Sequence, residues 1–381
     1  MASRKWEIIT GEYPPQQGGV SDYTHLVARG LAAAGDQVHV WAPQCRDAEG
    51  NGADWNIKVH RLPGHFGLHA LFVLSRSLRP LPQGQLLVQY VPHAYGFKAM
   101  NLPFCIWLYA HRRRGTMVMF HEVVFPLGRG QPLTHNALGI VTRLMLLLVA
   151  RSAARIFVAT PLWERILRDR TETWAPVSWL PVPSNIPVID DPYGVMAFKS
   201  RYAPDGGILL GHLGTYGSHT TQALGALLPA IFADHRGFVV LLMGTNSCDF
   251  KRLLARRYPE LAPRVQATGT LPAEELSRAV SACDLMVQPY PDGASTRRGS
   301  LMAALAHGRA IVTNSGIATE SLWAKSGALA LAPQGEPDMM RSLIVNLLAD
   351  EAQRACYSAK AVELYAQCFD LRHTIAALRS T

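Results

Sequence analysis

The stretch from Cys283 to Gly316, CDLMVQPYPDGASTRRGSLMAALAHGRAIVTNSG, constrains the fold more than any other part of this chain. An apolar run, Leu285 to Gln288, carries the chain into a turn broken by Pro and Gly. The turn delivers Ser295, Thr296, Arg297, Arg298, Gly299 and Ser300 to an Ala- and Leu-rich helical segment that ends near His307-Gly308. A second apolar strand, Ala310 to Thr313, follows. The order is therefore strand, loop, helix, strand. A helix N-terminus offers unpaired N–H groups and a partial positive charge, and two arginines beside it add forked donors suited to a phosphate. The stretch reads as the anion grip of a ligand site. The alternative is a solvated helix start, although cations there oppose the helix dipole.

The same unit recurs along the chain. Apolar runs at Trp6 to Thr10, Val38 to Trp41, Ile57 to Leu62, Leu86 to Val91, Met117 to Phe120, Ile156 to Ala159 and Val177 to Pro181 alternate in several places with helical patterns. A second series begins at Ile208 to Leu213, Phe238 to Met243 and Val265 to Thr268. Strands alternating with helices predict parallel, doubly wound sheets, whose ligands bind beyond the carboxyl ends of the strands. With 381 residues the chain is too long for one ordinary core. The Pro-rich segment PVPSNIPVIDDPY, Pro181 to Tyr193, is the natural linker. The expected division is 1–183 and 184–364, with a C-terminal helix near 365–381 reaching back to the first domain.

Several residues stand at strand ends or helix starts. Gly18 and Gly19 precede a helix with apolar residues at Val20, Tyr23, Leu26, Val27 and Leu31, and glycines there permit close backbone approach to a ligand. His93 follows one strand and His121-Glu122 another. In the second half, Gly214 and Thr215 follow the first strand, and Asn246 follows the next.

The net charge of +9 is concentrated in the first half, which has 19 Lys and Arg against 11 Asp and Glu up to Pro183, against 18 and 17 afterwards. Basic residues there adjoin apolar segments, Leu102 to Tyr109 before Arg112-Arg113-Arg114 and Leu138 to Ala150 with Arg143 and Arg151. Such neighbours suit an anionic membrane surface or a phosphorylated acceptor, or else buried helices with capping arginines. Neither run is read as a spanning helix. Six scattered cysteines, with no CxxC pair and no Cys/His cluster at zinc spacing, predict a reduced protein without structural metal. MASRKWEIIT holds no signal-peptide core, so the expectation is a cytoplasmic protein, at most peripheral at the inner face of the membrane.

Taken together, PPQQGGVSDYTHLVARGLAAAGDQVHVWAP, the linker PVPSNI, CDLMVQPY and LMAALAHGRAIVTNSG resemble the GT-B glycosyltransferases, specifically retaining family 4. The resemblance implies two Rossmann-like doubly wound domains facing a cleft. It also implies a nucleotide-diphosphate sugar held by the second domain, an acceptor held by the first, and no essential metal or other cofactor. Gly18 and Gly19 would then lie against the donor diphosphate, and His121 beside the transferred sugar, with Glu122 next to it. Tyr23 and His93 are assigned to the acceptor. Nucleic acid is not expected as a partner.

The sequence departs from the family at informative places. Two glutamates eight positions apart are usual, and Ser295 and Ala303 stand there instead. Asp292 replaces the first if the loop is longer. The basic pair after the first donor-domain strand is missing from GHLGTYGSHTT, and Arg297 and Arg298 are its natural replacements. The expected donor residues are therefore Gly18, Gly19, Gly214, Thr215, Asn246, Asp292, Ser295, Thr296, Arg297, Arg298, Gly299 and Ser300. The expected activity is glycosyl transfer in polysaccharide, glycolipid or other glycoconjugate synthesis. The alternatives are a non-catalytic scaffold, which the lost glutamates favour, or a same-fold phosphorylase or nucleotide-sugar epimerase.

Overall fold

The computed structural model describes residues 3–45, 56–78, 86–235 and 237–380. The chain divides into two units, Met1–Pro181 together with Leu371–Thr381, and Val182–Asp370.

The first unit is built on seven parallel strands. They are β1 (Lys5–Thr10), β2 (Gln37–Pro43), β3 (Ile57–Leu62), β4 (Leu86–Tyr90), β5 (Met117–Phe120), β6 (Arg155–Val158) and β7 (Val177–Trp179), in the order β3-β2-β1-β4-β5-β6-β7. All of β4 and β5 is buried, as central parallel strands covered on both faces must be. Helices Gly19–Ala33, Leu68–Ser77, Leu102–Ala110, Leu133–Ser152 and Pro161–Arg170 connect the strands. The final helix, Leu371–Arg379, packs against Gly19–Ala33. The segment from Tyr365 to Cys368 ends the long helix Glu351–Cys368 of the second unit, and the break at Phe369-Asp370 separates it from the last helix.

The second unit repeats the plan with six parallel strands, β8 (Ile208–Leu213), β9 (Phe238–Met243), β10 (Val265–Gly269), β11 (Leu285–Gln288), β12 (Ala310–Asn314) and β13 (Ala330–Ala332), ordered β10-β9-β8-β11-β12-β13. Strand β13 has only three residues, too few to show a periodicity in sequence. The Pro-rich linker has no helix or strand from Pro181 to Asp191, but its end is helical. Pro192 starts the helix Pro192–Tyr202, because Pro at the first helical position forfeits an N–H that would be unbonded anyway. The Asp191 side chain caps that helix by accepting from the Gly194 N–H at 2.9 Å.

In each sheet the strand order reverses once, between β1 and β4 and between β8 and β11. Such switch points open a crevice at the carboxyl ends of the strands. The candidate residues cluster after those strands.

Candidate active site

In the first unit, the loops after β1, β4 and β5 bring Gly18, Tyr23, His93, His121 and Glu122 to one end of the sheet. His121 follows β5 directly, and its backbone N–H donates to the Tyr90 carbonyl at 3.1 Å. Its Nε2 lies 2.8 Å from Gln89 Oε1, and the Trp163 indole donates to its carbonyl at 2.7 Å. Tyr23 packs edge-on against the imidazole with ring centres 4.7 Å apart. Burial pulls the His121 pKa down to about 4, against the opposing charge of Glu122, so the ring is neutral at pH 7. Tyr23 is only 3% exposed, and burial raises its phenol pKa. It therefore stands behind His121 as a support. His93 Nδ1 pairs with Glu122 Oε2 at 3.4 Å, and that hydrogen bond raises the His93 pKa against burial.

Gly18 lies against a side chain of its own unit. A Cβ on Gly18 would lie 2.3 Å from Glu12 Oε2, so the glycine makes room for a carboxylate of the same chain. Glu12 thus sits beside the start of Gly19–Ala33, whose N-cap Gly18 has no capping side chain. Burial pushes the Glu12 pKa up, Asp22 and Glu122 add to the rise, and His93 opposes it. The helix start that reads as an anion site thus has a carboxyl group of the same chain beside it. Gly19, by contrast, faces open space.

In the second unit the candidates form two groups. Gly214, Thr215 and Asn246 meet at the ends of β8 and β9. Asn246 Nδ2 donates to the Thr215 carbonyl at 3.3 Å, and the Gly214 N–H donates to Met243 O at 3.1 Å. The other group follows β11. Asp292 accepts from Arg297 through one oxygen and from Arg298 through the other, leaving the three side chains with a net charge of +1. The Arg298 guanidinium lies over the Tyr290 ring, 4.9 Å from its centre, and the Tyr290 hydroxyl is 2.8 Å from Ser300 Oγ. Arg298 is the N-cap of the helix Gly299–Ala306. Asp292 therefore answers the objection that two cations oppose a helix dipole, since it places an anion between them.

Gly293 makes the turn possible. Its φ is +87°, and a Cβ there would fall 2.2 Å from the Gly316 nitrogen. Asn314 closes the loop, accepting from the Tyr290 N–H at 2.8 Å and donating to its carbonyl at 2.7 Å. Ser295 and Thr296, read from the sequence as ligand contacts, are wholly buried. Thr296 donates its N–H (3.1 Å) and hydroxyl (2.8 Å) to Glu320 Oε1, while the Trp323 indole donates to Oε2 at 2.7 Å. Ser295 Oγ is enclosed without a hydrogen-bond partner. The side chains of Asp292, Arg297 and Arg298 remain 21–24% exposed.

Glu12, Gln89, Tyr290, Asn314 and Glu320 escaped sequence reasoning. Glu320 carried the one usable signal, an acidic residue three positions before Trp323 and just after GIAT, but nothing local links it to Thr296.

Residues 208–350 match the family described as Glycosyl transferases group 1. Over its whole length the chain has the GT-B fold of solved glycosyltransferases. Sucrose-phosphate synthase from Thermosynechococcus elongatus superposes with a TM-score of 0.72 at 15% identity, covering 100% of this chain and 98% of that one. WaaG, a glycosyltransferase involved in lipopolysaccharide biosynthesis, gives 0.67 at 14% identity and covers 96% of each chain. HepE of Anabaena, solved in complex with UDP, gives 0.66 at 15% identity and covers 98% of each. Comparison by sequence with curated proteins returns no match. The matched residues contain β8 to β13 and with them both groups of second-unit candidates. Among the described residues, no group of three or more His, Cys, Asp or Glu side chains could hold a metal ion.

Proposed function

We propose that this protein transfers a glycosyl group from a nucleotide-diphosphate sugar to an acceptor hydroxyl. The reaction breaks the bond between the anomeric carbon and the diphosphate oxygen. The acceptor oxygen bonds to that carbon and releases its proton, and the nucleoside diphosphate leaves as an anion. The observation that carries this reading is the Arg297-Asp292-Arg298 group, which retains positive charge at the strand ends of the matched residues. One carboxylate holding two guanidiniums orders both before a ligand arrives, and preorganised donors stabilise a departing diphosphate best.

In this account the second unit holds the donor through Gly214, Thr215, Asn246, Arg297, Arg298, Gly299 and Ser300. His121 acts as a neutral imidazole in the first unit, with Glu122 and His93 beside it. The first unit takes the acceptor, a glycan, glycolipid or small molecule, and contacts the membrane peripherally from the cytoplasmic side. Retention of configuration, independence from metal and membership of family 4 follow from the sequence resemblance. Because HepE is solved with UDP and with UDP-glucose, uridine nucleotides are the first donors to test.

The test is release of nucleoside diphosphate from a panel of nucleotide sugars in the presence of acceptor extracts, with the product's anomeric configuration read by NMR. Acceptor-dependent release from one donor supports the proposal. Phosphate-dependent release without transfer, or interconversion of the donor sugar, would assign another reaction.

A further inference from the structure

The helix Leu133–Ser152 carries apolar side chains on the face it turns away from the sheet. Thr142, Met145, Leu146, Val149 and Ala150 are buried, while Leu133, Ile140 and Leu144 are 88%, 61% and 47% exposed. A surface helix ordinarily shows polar residues there. Its neighbours repeat the pattern, with Leu68 and Phe72 exposed on Leu68–Ser77 and Ile106 on Leu102–Ala110. Right-handed crossovers through β3, β4, β5 and β6 set these three helices side by side on one face of the seven-stranded sheet. The Trp107 indole, donating to Ser75 Oγ at 2.7 Å, ties the first two together, and Leu102–Ala110 packs on Leu133–Ser152. The exposed residues therefore form one apolar face.

That face is framed by positive charge. Residues 61–152 contain ten Lys and Arg and a single acidic residue, Glu122, and so carry +9, the whole net charge of the chain; the other 27 basic and 27 acidic residues cancel. None of the three helices contains Asp or Glu. Because each helix follows the carboxyl end of a strand, the three run in the same direction. Exposed Arg76, Arg112 and Arg113 accordingly lie toward one rim of the face, and exposed Lys98 and Arg129 toward the other.

We propose that this face docks on a bilayer containing anionic phospholipid, with Leu133–Ser152 lying in the plane of the interface. The apolar side chains enter the acyl boundary, and the arginines of the rim meet lipid phosphates. The helix is long and apolar enough to cross a membrane by length and composition. Its Met145, Leu146 and Val149 are nevertheless built into the core of the unit, so it lies on the bilayer and does not span it. A second copy of the chain is a poorer occupant, since it would set like charge against like. The inference deepens the peripheral contact proposed above and rests on that reading only for the place of the acceptor.

Co-sedimentation of the full chain with vesicles tests it. Vesicles with about 30% phosphatidylglycerol should bind the protein at least about tenfold more tightly than pure phosphatidylcholine, with loss at high salt. The double variants Ile140→Asp/Leu144→Asp and Arg112→Glu/Arg113→Glu should each lower that affinity about tenfold or more, with unchanged circular dichroism and unchanged nucleotide response. No binding by the folded wild type, or binding undiminished in both variants, would overturn the proposal. So would a dimer in sedimentation velocity that Ile140→Asp/Leu144→Asp dissociates. Absence of any nucleotide response with vesicle binding intact would instead sink the glycosyl-transfer reading and leave this one standing.

Discussion

His121 is a neutral ring fixed from several sides. Gln89 holds its Nε2, Trp163 holds its carbonyl, and Tyr23 holds its face. His121→Ala should lower kcat about a hundredfold while the donor Kd changes little, and equal losses in both would show a group that only positions substrate. The position of His121 was legible, because a histidine at the end of an apolar run is easy to see. The buried Tyr23 behind it was not, since helical spacing marks a face without saying what covers it. Glu12 left no signature either, because a carboxylate six residues before the N-cap fits no local capping pattern. The crowding of Glu12 against Gly18 makes its own prediction. Gly18→Ala should destabilise the protein, and in a Glu12→Ala background the same substitution should cost at least about 1 kcal/mol less, measured by a double-mutant denaturation cycle. Equal costs in both backgrounds would mean that Glu12 does not occupy that space.

Among the elements, the loop after β11 depends most on distant support. Its two arginines share Asp292, Asn314 clasps Tyr290, and Glu320 takes both donors of Thr296. The strand before the loop and the helix after it were legible from apolar runs and from Ala and Leu content. The inward turn of Ser295 and Thr296 was not, because it is set by a carboxylate 24 residues further on. Glu320→Ala leaves the Thr296 and Trp323 donors buried without their acceptor. We expect a loss of about 2–4 kcal/mol in denaturant unfolding, together with weaker nucleotide binding from a loosened loop. Full nucleotide affinity in a destabilised Glu320→Ala protein would separate the loop's support from its function.

For the molecule as a whole, parallel sheets, two units and glycosyl transfer could all be argued from the order of strands and helices and from the motifs they carry. The last helix, expected near 365–381, begins at Leu371 and belongs to the first unit. Asp36, wholly buried, accepts from the Trp6 indole at 3.0 Å and pairs with Arg379 at 3.2 Å, joining both ends of the chain within the first unit. Two desolvated histidines add to the loss of stability in acid. Burial holds His121 near about 4 and His212 near about 3, whereas an unfolded histidine titrates near 6.5. Below pH 6.5 the unfolded chain therefore binds protons that the native chain refuses. Stability should fall as pH drops from about 6.5 toward 4, each group adding a slope of up to about 1.4 kcal/mol per pH unit. His212→Asn should flatten the dependence of Tm on pH over that window, and an unaltered curve would show that His212 does not contribute.

The central claim is that the second unit grips a nucleotide diphosphate through Arg297 and Arg298, and thermal unfolding in the presence of UDP, GDP, ADP and their sugars tests it most directly. At 100 times its dissociation constant a ligand adds about 2.7 kcal/mol, and the midpoint should rise by roughly 5 to 10 °C. The account predicts that rise for one nucleotide family and its loss in a folded Arg297→Ala variant. A flat response across the panel, or an equal rise in wild type and variant, would contradict it.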